Sequence, residues 1–299
     1  MNFDRKIDLA LEARELAQGG GAARLSGVRA EEDTLFGLPL TQVEILDQQG
    51  AQALGRPVGR YLTLDLPQLP RQREEVLGAA RAVAAMLERL PSLPKTGPVL
   101  VAGLGNRRVT PDAIGPKATD ALLVTRHLVR SLPAQFSALR PVSALAAGVT
   151  GTTGMESGEL IHAVVEQLEP CCLIAVDALA ARRQERVCRT VQVSDTGIVP
   201  GSGVGNARMA LDEDSLGIPV IAVGIPTVVD AATLCLDLLE EAGERDFDPG
   251  ILRQEGAEWF VTPRNVDSEV DILARMLGLG ISTALHEALS VEEVEAWTS

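Results

Sequence analysis

Aromatic residues are scarce in this sequence of 299 residues, and long apolar runs are missing. Phe, Trp and Tyr together make up 3% of the chain, and Tyr61 is its one tyrosine. That composition disfavours modules that stack nucleic-acid bases on aromatic rings. No apolar run reaches the 18 residues of a membrane-spanning helix, and the N-terminal sequence MNFDRKIDLALEARELA lacks the apolar core of a signal peptide. We therefore expect a cytoplasmic protein with no membrane partner.

Cysteine and histidine are too few, and too irregularly spaced, to indicate a metal centre. No CxxC pair and no HExxH pattern occurs. The four cysteines are Cys171, Cys172, Cys188 and Cys235, and the three histidines are His127, His162 and His286. We expect the cysteines to be buried, reduced thiols, and we predict no cofactor.

Acidic residues outnumber basic ones by a wide margin. The chain has 41 Asp and Glu against 27 Lys and Arg, a formal net charge of −14. A surface of this charge argues against direct binding to nucleic acid. Hydrophobic residues make up 46% of the chain, which is enough to build a packed core.

Short apolar runs alternate with helical patterns along most of the chain. The strand-like runs are TQVEILD, GRYLTLDL, PVLVAGL (98–104), RPVSALAAGV (140–149), CCLIAV (171–176), TVQVSD (190–195), PVIAVGI (219–225) and EWFVTP (258–263). Helical patterns cover residues 71–91, the run after PVLVAGL, TVVDAATLCLDLLEEAG and a last stretch near 266–289. This alternation predicts an α/β fold of the phosphorylase/hydrolase-like kind, with a twisted, mostly parallel or mixed sheet flanked by helices on both faces. Since active sites of such sheets lie beyond the carboxyl ends of the strands, the strand-to-helix junctions are the places to search.

The first candidate junction is VLVAGLGNRRVTPDAIGP at residues 99–116. Thr110 suits a helix N-cap and Pro111 the first helical position, which would place Asp112 in the first turn. The positive end of the helix dipole favours an ionised carboxylate there. Ordinary helix capping is the alternative interpretation, and the GxGxxG dinucleotide pattern is absent.

The second candidate junction is CCLIAVDALAARR at residues 171–183. Asp177 directly follows a buried strand, where a carboxylate is costly unless it is paired, hydrogen-bonded or bound to a cation. If the strands are neighbours, Asp112 and Asp177 share one edge of the sheet. Two such carboxylates can share a proton and activate water against a peptide carbonyl, or they can hold a divalent metal. The residue pattern leaves both possibilities open.

Two glycine-rich loops are candidates for the walls of a cleft. SDTGIVPGSGVGNAR (194–208) is typical of a peptide-docking loop or a tight crossover, and AGVTGTTGME (147–156) of an oxyanion-binding loop or a turn before a helix. Serine-hydrolase chemistry is disfavoured, because GxSxG does not occur. The residues that we single out as candidate substrate-binding positions are Asn106, Thr153, Gly201 and Gly203.

The sequence resembles the germination protease family over most of residues 59–287. The blocks that carry the resemblance are GRYLTL, GLGNRRVTPDAIGP, LLVTRHL, RPVSALAAGVTGTTGMES, IAVDALAAR, VQVSDTGIVPGSGVGN, GIPVIAVGIPTVVDA, VTPRNVDSEVD and TALHE. The resemblance implies an endopeptidase that initiates the degradation of small acid-soluble spore proteins in the spore core during germination. It implies cleavage after acidic residues, Asp112 and Asp177 as the catalytic pair, and a homo-oligomer, a tetramer.

Two rival interpretations accompany that resemblance. The first block is also similar to the hydrogenase-maturation endopeptidases, in which the equivalent acidic position helps a histidine to bind a metal. A metal-dependent maturation peptidase is therefore one alternative. A non-catalytic binding protein, whose glycine loops hold a small ligand, is the other.

The family resemblance further implies a zymogen with a propeptide at residues 1–8. RKIDLALEARELA (5–17) is similar to the family's processing region: acidic Asp8, then apolar Leu9 and small Ala10. Cleavage between Asp8 and Leu9 would leave a single peptidase domain, 9–299; a cut after Glu12 is the alternative. We expect the arm at 1–18 to lie across the cleft. The alternative is a frayed terminus that has no functional role. Residues 243–257 connect the helical pattern after PVIAVGI to the strand-like run EWFVTP. Family members have a longer connection at this place.

Overall fold

A computed structural model describes residues 7–18, 25–202, 208–243 and 259–299. Nine strands of these ranges form one sheet. They are β1 (Val28–Leu35), β2 (Leu38–Ile45), β3 (Gly59–Asp65), β4 (Val99–Leu104), β5 (Val142–Gly148), β6 (Cys172–Ala181), β7 (Thr190–Ser194), β8 (Val220–Asp230) and β9 (Phe260–Val261). The helices are α1 (Ala10–Ala17), α2 (Gln48–Leu54), α3 (Arg73–Glu88), α4 (Ile114–Asp120), α5 (Arg126–Ser131), α6 (Pro133–Phe136), α7 (Thr150–Thr153), α8 (Ser157–Leu168), α9 (Glu213–Leu216), α10 (Ala231–Glu241), α11 (Val266–Leu285) and α12 (Val291–Thr298).

The sheet is mixed, in the order β1-β2-β3-β7-β8-β6-β4-β5, and β9 pairs with β8. Strands β8, β6, β4 and β5 run parallel, whereas β1, β2, β3 and β7 form antiparallel pairs and β7 joins β8 antiparallel. Parallel strands of this kind are buried on both faces. The predicted α/β fold with a mixed sheet is confirmed.

Helices cover both faces of the sheet, because side chains alternate between the faces along each strand. In β4, Val99 and Val101 belong to the larger core, which includes the apolar sides of α3 and α11. Leu100 and Ala102 belong to a second core, which includes Ile161 of α8. The predicted two-sided covering is therefore confirmed, and the predicted helix at 71–91 corresponds to α3.

Two strands run further than their sequence patterns predict. β6 continues beyond Asp177 to Ala181, because its partner β8 pairs with it along that whole stretch. The residues TVVD, predicted to begin a helix, are instead the end of β8, consistent with the strand preference of β-branched side chains. Helix α10 begins only at Ala231, where the Asp230 carboxylate accepts a hydrogen bond from the Thr233 amide.

Several smaller elements also differ from the expectation. The predicted helical run after β4 is broken into α4, α5 and α6, and α12 follows the predicted last helix. Strand β1 and helix α2 were not anticipated. The cysteines are free thiols; Cys172 and Cys188 are buried as predicted, but Cys171 is half-buried and Cys235 is exposed on the outer side of α10. Among the described residues, no helix is both long and apolar enough to cross a bilayer.

Candidate active site

Asp177 lies inside β6, at the point where the neighbouring strand β4 stops. The last residue of β6 that pairs with β4 is Val176, and Asp177 pairs with Gly224 of β8 on the other side. Its placement at the carboxyl end of the strand was therefore wrong, since pairing with β8 carries β6 onward. The carboxylate is 5% exposed and its Oδ1 accepts a hydrogen bond of 2.9 Å from the Ala178 amide.

Asp112 is brought to the same edge by a tight turn after β4. The turn is a 3-10 helix, Thr110–Asp112, in which Thr110 caps nothing, so the predicted N-cap was wrong. Asp112 Oδ2 accepts a hydrogen bond of 2.7 Å from the Asn106 amide. Gly105 has φ +102°, and a Cβ there would lie 2.2 Å from the Asp112 carbonyl oxygen, so only glycine permits this turn.

The side chain of Thr227 attaches this turn to the centre of the sheet. Thr227 lies near the end of β8, is 1% exposed, and its Oγ1 donates a 2.6 Å hydrogen bond to the Pro111 carbonyl. The turn that carries Asp112 is thereby held against the strand next to the one that carries Asp177.

The two aspartates line one cavity of about 420 Å³. The glycine-rich loops form part of its wall: Gly148 and Val149 come from the loop at 147–156, and Gly201 from the loop at 194–208. A third carboxylate, that of Asp8, also lines this cavity. The structure therefore places Asp112 and Asp177 at one cavity, as predicted, although Asp177 lies within β6 and not after it.

Burial and mutual repulsion raise the pKa of Asp177 more than that of Asp112. Burial raises the pKa of Asp177 well above its ordinary value, and the negative charge of Asp112 raises it further. Burial also raises the pKa of Asp112, but the Asn106 amide and the positive charge of Arg208 counteract it. Such an arrangement favours one protonated and one ionised carboxyl group.

The N-terminal arm is docked at this cavity rather than frayed. The Asp8 amide donates to the Ala180 carbonyl at 2.9 Å, and the Ala180 amide donates to Asp8 Oδ2 at 2.8 Å. Leu9 and Ala10 are fully buried. The expectation that the arm lies across the cleft agrees with these contacts, whereas fraying does not describe residues 8–12. Residues 1–6 lie outside the described ranges.

Glu12 anchors the arm further along, away from the cavity. Its carboxylate is fully buried and accepts hydrogen bonds from the amides of Arg182 at 2.6 Å and Arg183 at 3.0 Å. Burial raises the pKa of Glu12 to about 7. Because the bond after Glu12 lies within helix α1, the bond after Asp8 is the better placed of the two candidate cuts.

Gln192 of β7 is a functional candidate that the sequence analysis missed. Its Oε1 accepts a 2.8 Å hydrogen bond from the Ala10 amide, and its Nε2 donates a 3.2 Å hydrogen bond to the Asp8 carbonyl. The side-chain amide therefore contacts the chain on both sides of the Asp8–Leu9 bond. The sequence gives one signal for this residue: a long polar side chain stands between two valines in the strand-like run TVQVS.

Gln192 and Asp177 lie in the same row of the sheet. Both pair with Gly224, one from each side, so they share a face and are about 9–10 Å apart across two strand spacings. The side chain of Leu179 lies over Gly224, where a Cβ would be 2.5 Å from it. The Asp8–Leu9 bond is thus held on the face of the sheet to which Asp177 belongs.

The four candidate substrate-binding residues have four different outcomes. Gly201 lines the cavity. Asn106 reaches the site only through its main-chain amide, and its Oδ1 accepts from the Arg108 amide instead. Thr153 is exposed, and its Oγ1 donates to the Val149 carbonyl at 3.1 Å, outside the cavity lining. Gly203 lies outside the described residues, as does nearly all of the 243–257 connection.

Within the described ranges, no group of three or more His, Cys, Asp or Glu side chains is arranged to hold a metal ion. None of the three histidines lines the cavity. His127 is exposed on α5, His162 is half-buried beside Glu166 on α8, and His286 is buried with Nε2 3.3 Å from the Leu123 carbonyl. The acidic side chains that line the cavity are those of Asp8, Asp112 and Asp177.

The buried carboxyl group of Asp177 should make the native chain less stable at neutral pH than an asparagine variant, because its raised pKa opposes ionisation in the folded state. A raised pKa means that the folded chain binds the proton more tightly than the unfolded chain, so the free energy of unfolding falls as the pH rises above the ordinary value of 3.8. We expect Asp177→Asn to raise the free energy of unfolding by about 1–3 kcal/mol at pH 7.5 and by much less at pH 4. Denaturant unfolding at the two pH values measures this difference.

Asp120→Asn is the matched control, because Asp120 is exposed on α4 and pairs with Arg107 at the surface. That variant should show no gain at pH 7.5. A gain for Asp177→Asn that is equal at both pH values would contradict the buried-charge explanation.

The family model and the relatives found by sequence agree on one family. The model of a peptidase family described as germination protease matches residues 8–240. A germination protease of Clostridium perfringens is 40% identical, over 98% of each chain. A germination protease of Bacillus subtilis is 37% identical, over 96% of this chain and 95% of the relative. Among solved structures, the NiFe hydrogenase maturation protease HycI of Thermococcus kodakarensis matches 62% of this chain and 91% of its own, with a TM-score of 0.35 and 15% identity.

Proposed function

Because this chain belongs to the germination protease family, we propose that it initiates the degradation of small acid-soluble spore proteins by cutting them after acidic residues. The observation that carries the proposal is one cavity that is lined by Asp112, Asp177 and Asp8, the residue before the proposed cut. In this proposal the chain acts in the spore core as a homo-oligomer, a tetramer, without binding nucleic acid or membrane.

The proposed chemistry is direct catalysis by the two carboxyl groups. Asp177 holds the proton and Asp112 is ionised, in line with the larger rise in the pKa of Asp177. The Asn106 amide and the Arg208 charge oppose the rise in the pKa of Asp112. Asp112 takes a proton from water as the water oxygen attacks the peptide carbonyl carbon, and Asp177 gives its proton to the carbonyl oxygen. When the C–N bond breaks, the proton on Asp112 passes to the leaving nitrogen. Asp177 then regains a proton from one hydroxyl of the intermediate, which leaves a carboxylic acid.

Gln192 supplies a hydrogen-bond donor to the carbonyl that is attacked. Its Nε2 already donates to the Asp8 carbonyl, which is the carbonyl of the bond proposed to be cut. A donor fixed at that oxygen stabilises the charge that develops there during the attack. The orientation of the amide is set by the Ala10 N–H, which needs Oε1 as its acceptor.

The same site would cut residues 1–8 from its own chain. The Asp8–Leu9 segment is held along β6 and β7 by main-chain contacts that do not depend on the identity of its side chains. While it occupies the site it excludes other peptides, so the uncut chain is a zymogen in this proposal. Cutting after Asp8 separates the segment that ends at Asp8 from α1, which Glu12 continues to anchor.

Mass spectrometry of the purified chain at mildly acidic pH tests the zymogen proposal. We expect the chain to shorten to a species that begins at Leu9, with peptidase activity that appears in step with that species. Asp177→Asn should stay at full length under the same conditions. A chain that stays uncut and is nevertheless fully active would contradict the proposal.

A further inference from the structure

We propose that the pocket around the Asp8 carboxylate, formed by Arg56, Ser202 and the Ala180 amide, is the subsite that selects an acidic side chain before the cut bond. The inference rests on the proposed function, and it names the residues that would give the peptidase its specificity. Its ligand is the carboxylate of an aspartate or glutamate residue in the substrate. In the uncut chain Asp8 occupies the subsite.

The Asp8 carboxylate is bound by three different groups. Oδ2 accepts a 2.8 Å hydrogen bond from the Ala180 amide, Oδ1 accepts a 3.2 Å hydrogen bond from Ser202 Oγ, and Arg56 Nη2 lies 3.9 Å from Oδ1. Asp8 is 8% exposed. A carboxylate so deeply buried needs such partners, and a neutral side chain would leave the arginine charge without its counterion.

The end of helix α2 fixes the main chain of Arg56, which carries the positive charge of the pocket. Helix α2 ends at Gly55, which has the left-handed conformation, and the Arg56 amide then donates to the Ala51 carbonyl at 3.2 Å. The guanidinium also donates to the Ile7 carbonyl, the residue before Asp8. Arg56 therefore contacts both the main chain and the side chain of the docked segment, as a substrate-binding residue would.

The pocket also has room for a longer acid. A second cavity of about 290 Å³ is lined by Asp8, Arg56, Ser202 and Gln192, and it shares Asp8 and Ser202 with the cavity of the catalytic pair. A glutamate carboxylate, one methylene further from the main chain, fits the same enclosure. The subsite should accept both acidic residues and discriminate against their amides.

Two matched peptides that differ by Glu or Gln before the cut bond test the subsite. The enzyme is the chain recovered after its own cleavage, when the pocket is free. We expect kcat/KM to favour the Glu peptide by about 100-fold or more, and Arg56→Gln to reduce this preference to less than about tenfold, mainly by slowing the Glu peptide. Arg60→Gln, which removes a nearby arginine that pairs with Glu44, should keep the native preference.

A second set of variants uses the full chain and its self-cleavage. Asp8→Asn and Arg56→Gln should each slow the cut after residue 8, and the double variant should be little slower than either, because both remove the same contact. If Arg56→Gln does not fold, Ser202→Ala replaces it and should slow the Glu peptide several-fold but not the Gln peptide. Equal cleavage of both peptides by the wild-type chain would overturn this subsite alone. A wild-type chain that cuts neither itself nor the peptides would overturn the proposed function, and the subsite with it.

Discussion

Replacing either Asp112 or Asp177 with asparagine should lower the rate of peptide cleavage by about 10³-fold or more. Asparagine keeps the shape of the side chain but can neither hold nor transfer the proton that the reaction needs. Because both carboxyl groups act in one step, the double variant should lose little more than either single variant. Initial rates on a peptide with a glutamate before the cut bond measure all three.

Two controls test whether the loss of activity comes from the removal of any nearby charge or from the loss of a bound metal. Asp120→Asn removes a charge on the adjacent helix α4 and should cleave at the native rate. Exhaustive chelation should also leave the native rate unchanged; activity that is lost to a chelator and restored by one divalent ion would favour the metal-dependent alternative. An Asp177→Asn chain that cuts at the native rate would refute the role of the pair.

Replacing Gln192 with leucine should lower kcat by about 10²–10³-fold, with a smaller effect on KM. Leucine has a similar size but provides no donor for the carbonyl that is attacked, and no acceptor for the amide two residues further along. The loss is expected mainly in kcat, since the donor matters most when charge has developed on the carbonyl oxygen. Steady-state kinetics on the same peptide measure both parameters.

Thr63→Val is the matched control for that variant. Thr63 pairs with Gln192 across β3 and β7 and is fully buried, and its Oγ1 has no hydrogen-bond partner among the described residues. Its replacement changes the same row of the sheet without changing a contact to the arm, so cleavage should be unaffected. If Gln192→Leu keeps the native kcat, Gln192 only positions the arm.

The sheet could be predicted from the sequence where strands are short, apolar and buried on both faces. PVLVAGL has this composition, and it forms β4. The predictions were wrong where pairing with a neighbour decides the outcome: β8 keeps β6 extended beyond Asp177 and turns TVVD into strand. The residues of one segment do not show how long its partner strand is, so the end of that segment could not be predicted from its own sequence.

The same distinction applies to the site. The sequence predicts that Asp112 and Asp177 share one edge because they follow apolar runs of two neighbouring strands. The prediction of a shared site holds because β4 stops beside Asp177, although β6 itself continues to Ala181. Arg56, Ser202 and Gln192 are far apart in the chain, and their relation appears only when the arm docks between them. The Thr110 cap failed because the segment forms a tight turn, fixed by Gly105 and Thr227, instead of a regular first helical turn.

The most direct test is to map the cuts in a small acid-soluble spore protein after incubation with the shortened chain that begins at Leu9. The account predicts cleavage at a few bonds, each directly after an aspartate or glutamate, and no cleavage by the Asp177→Asn variant. Intact substrate with the native chain, cuts after residues of other kinds, or the same fragments with the Asp177→Asn variant would contradict it.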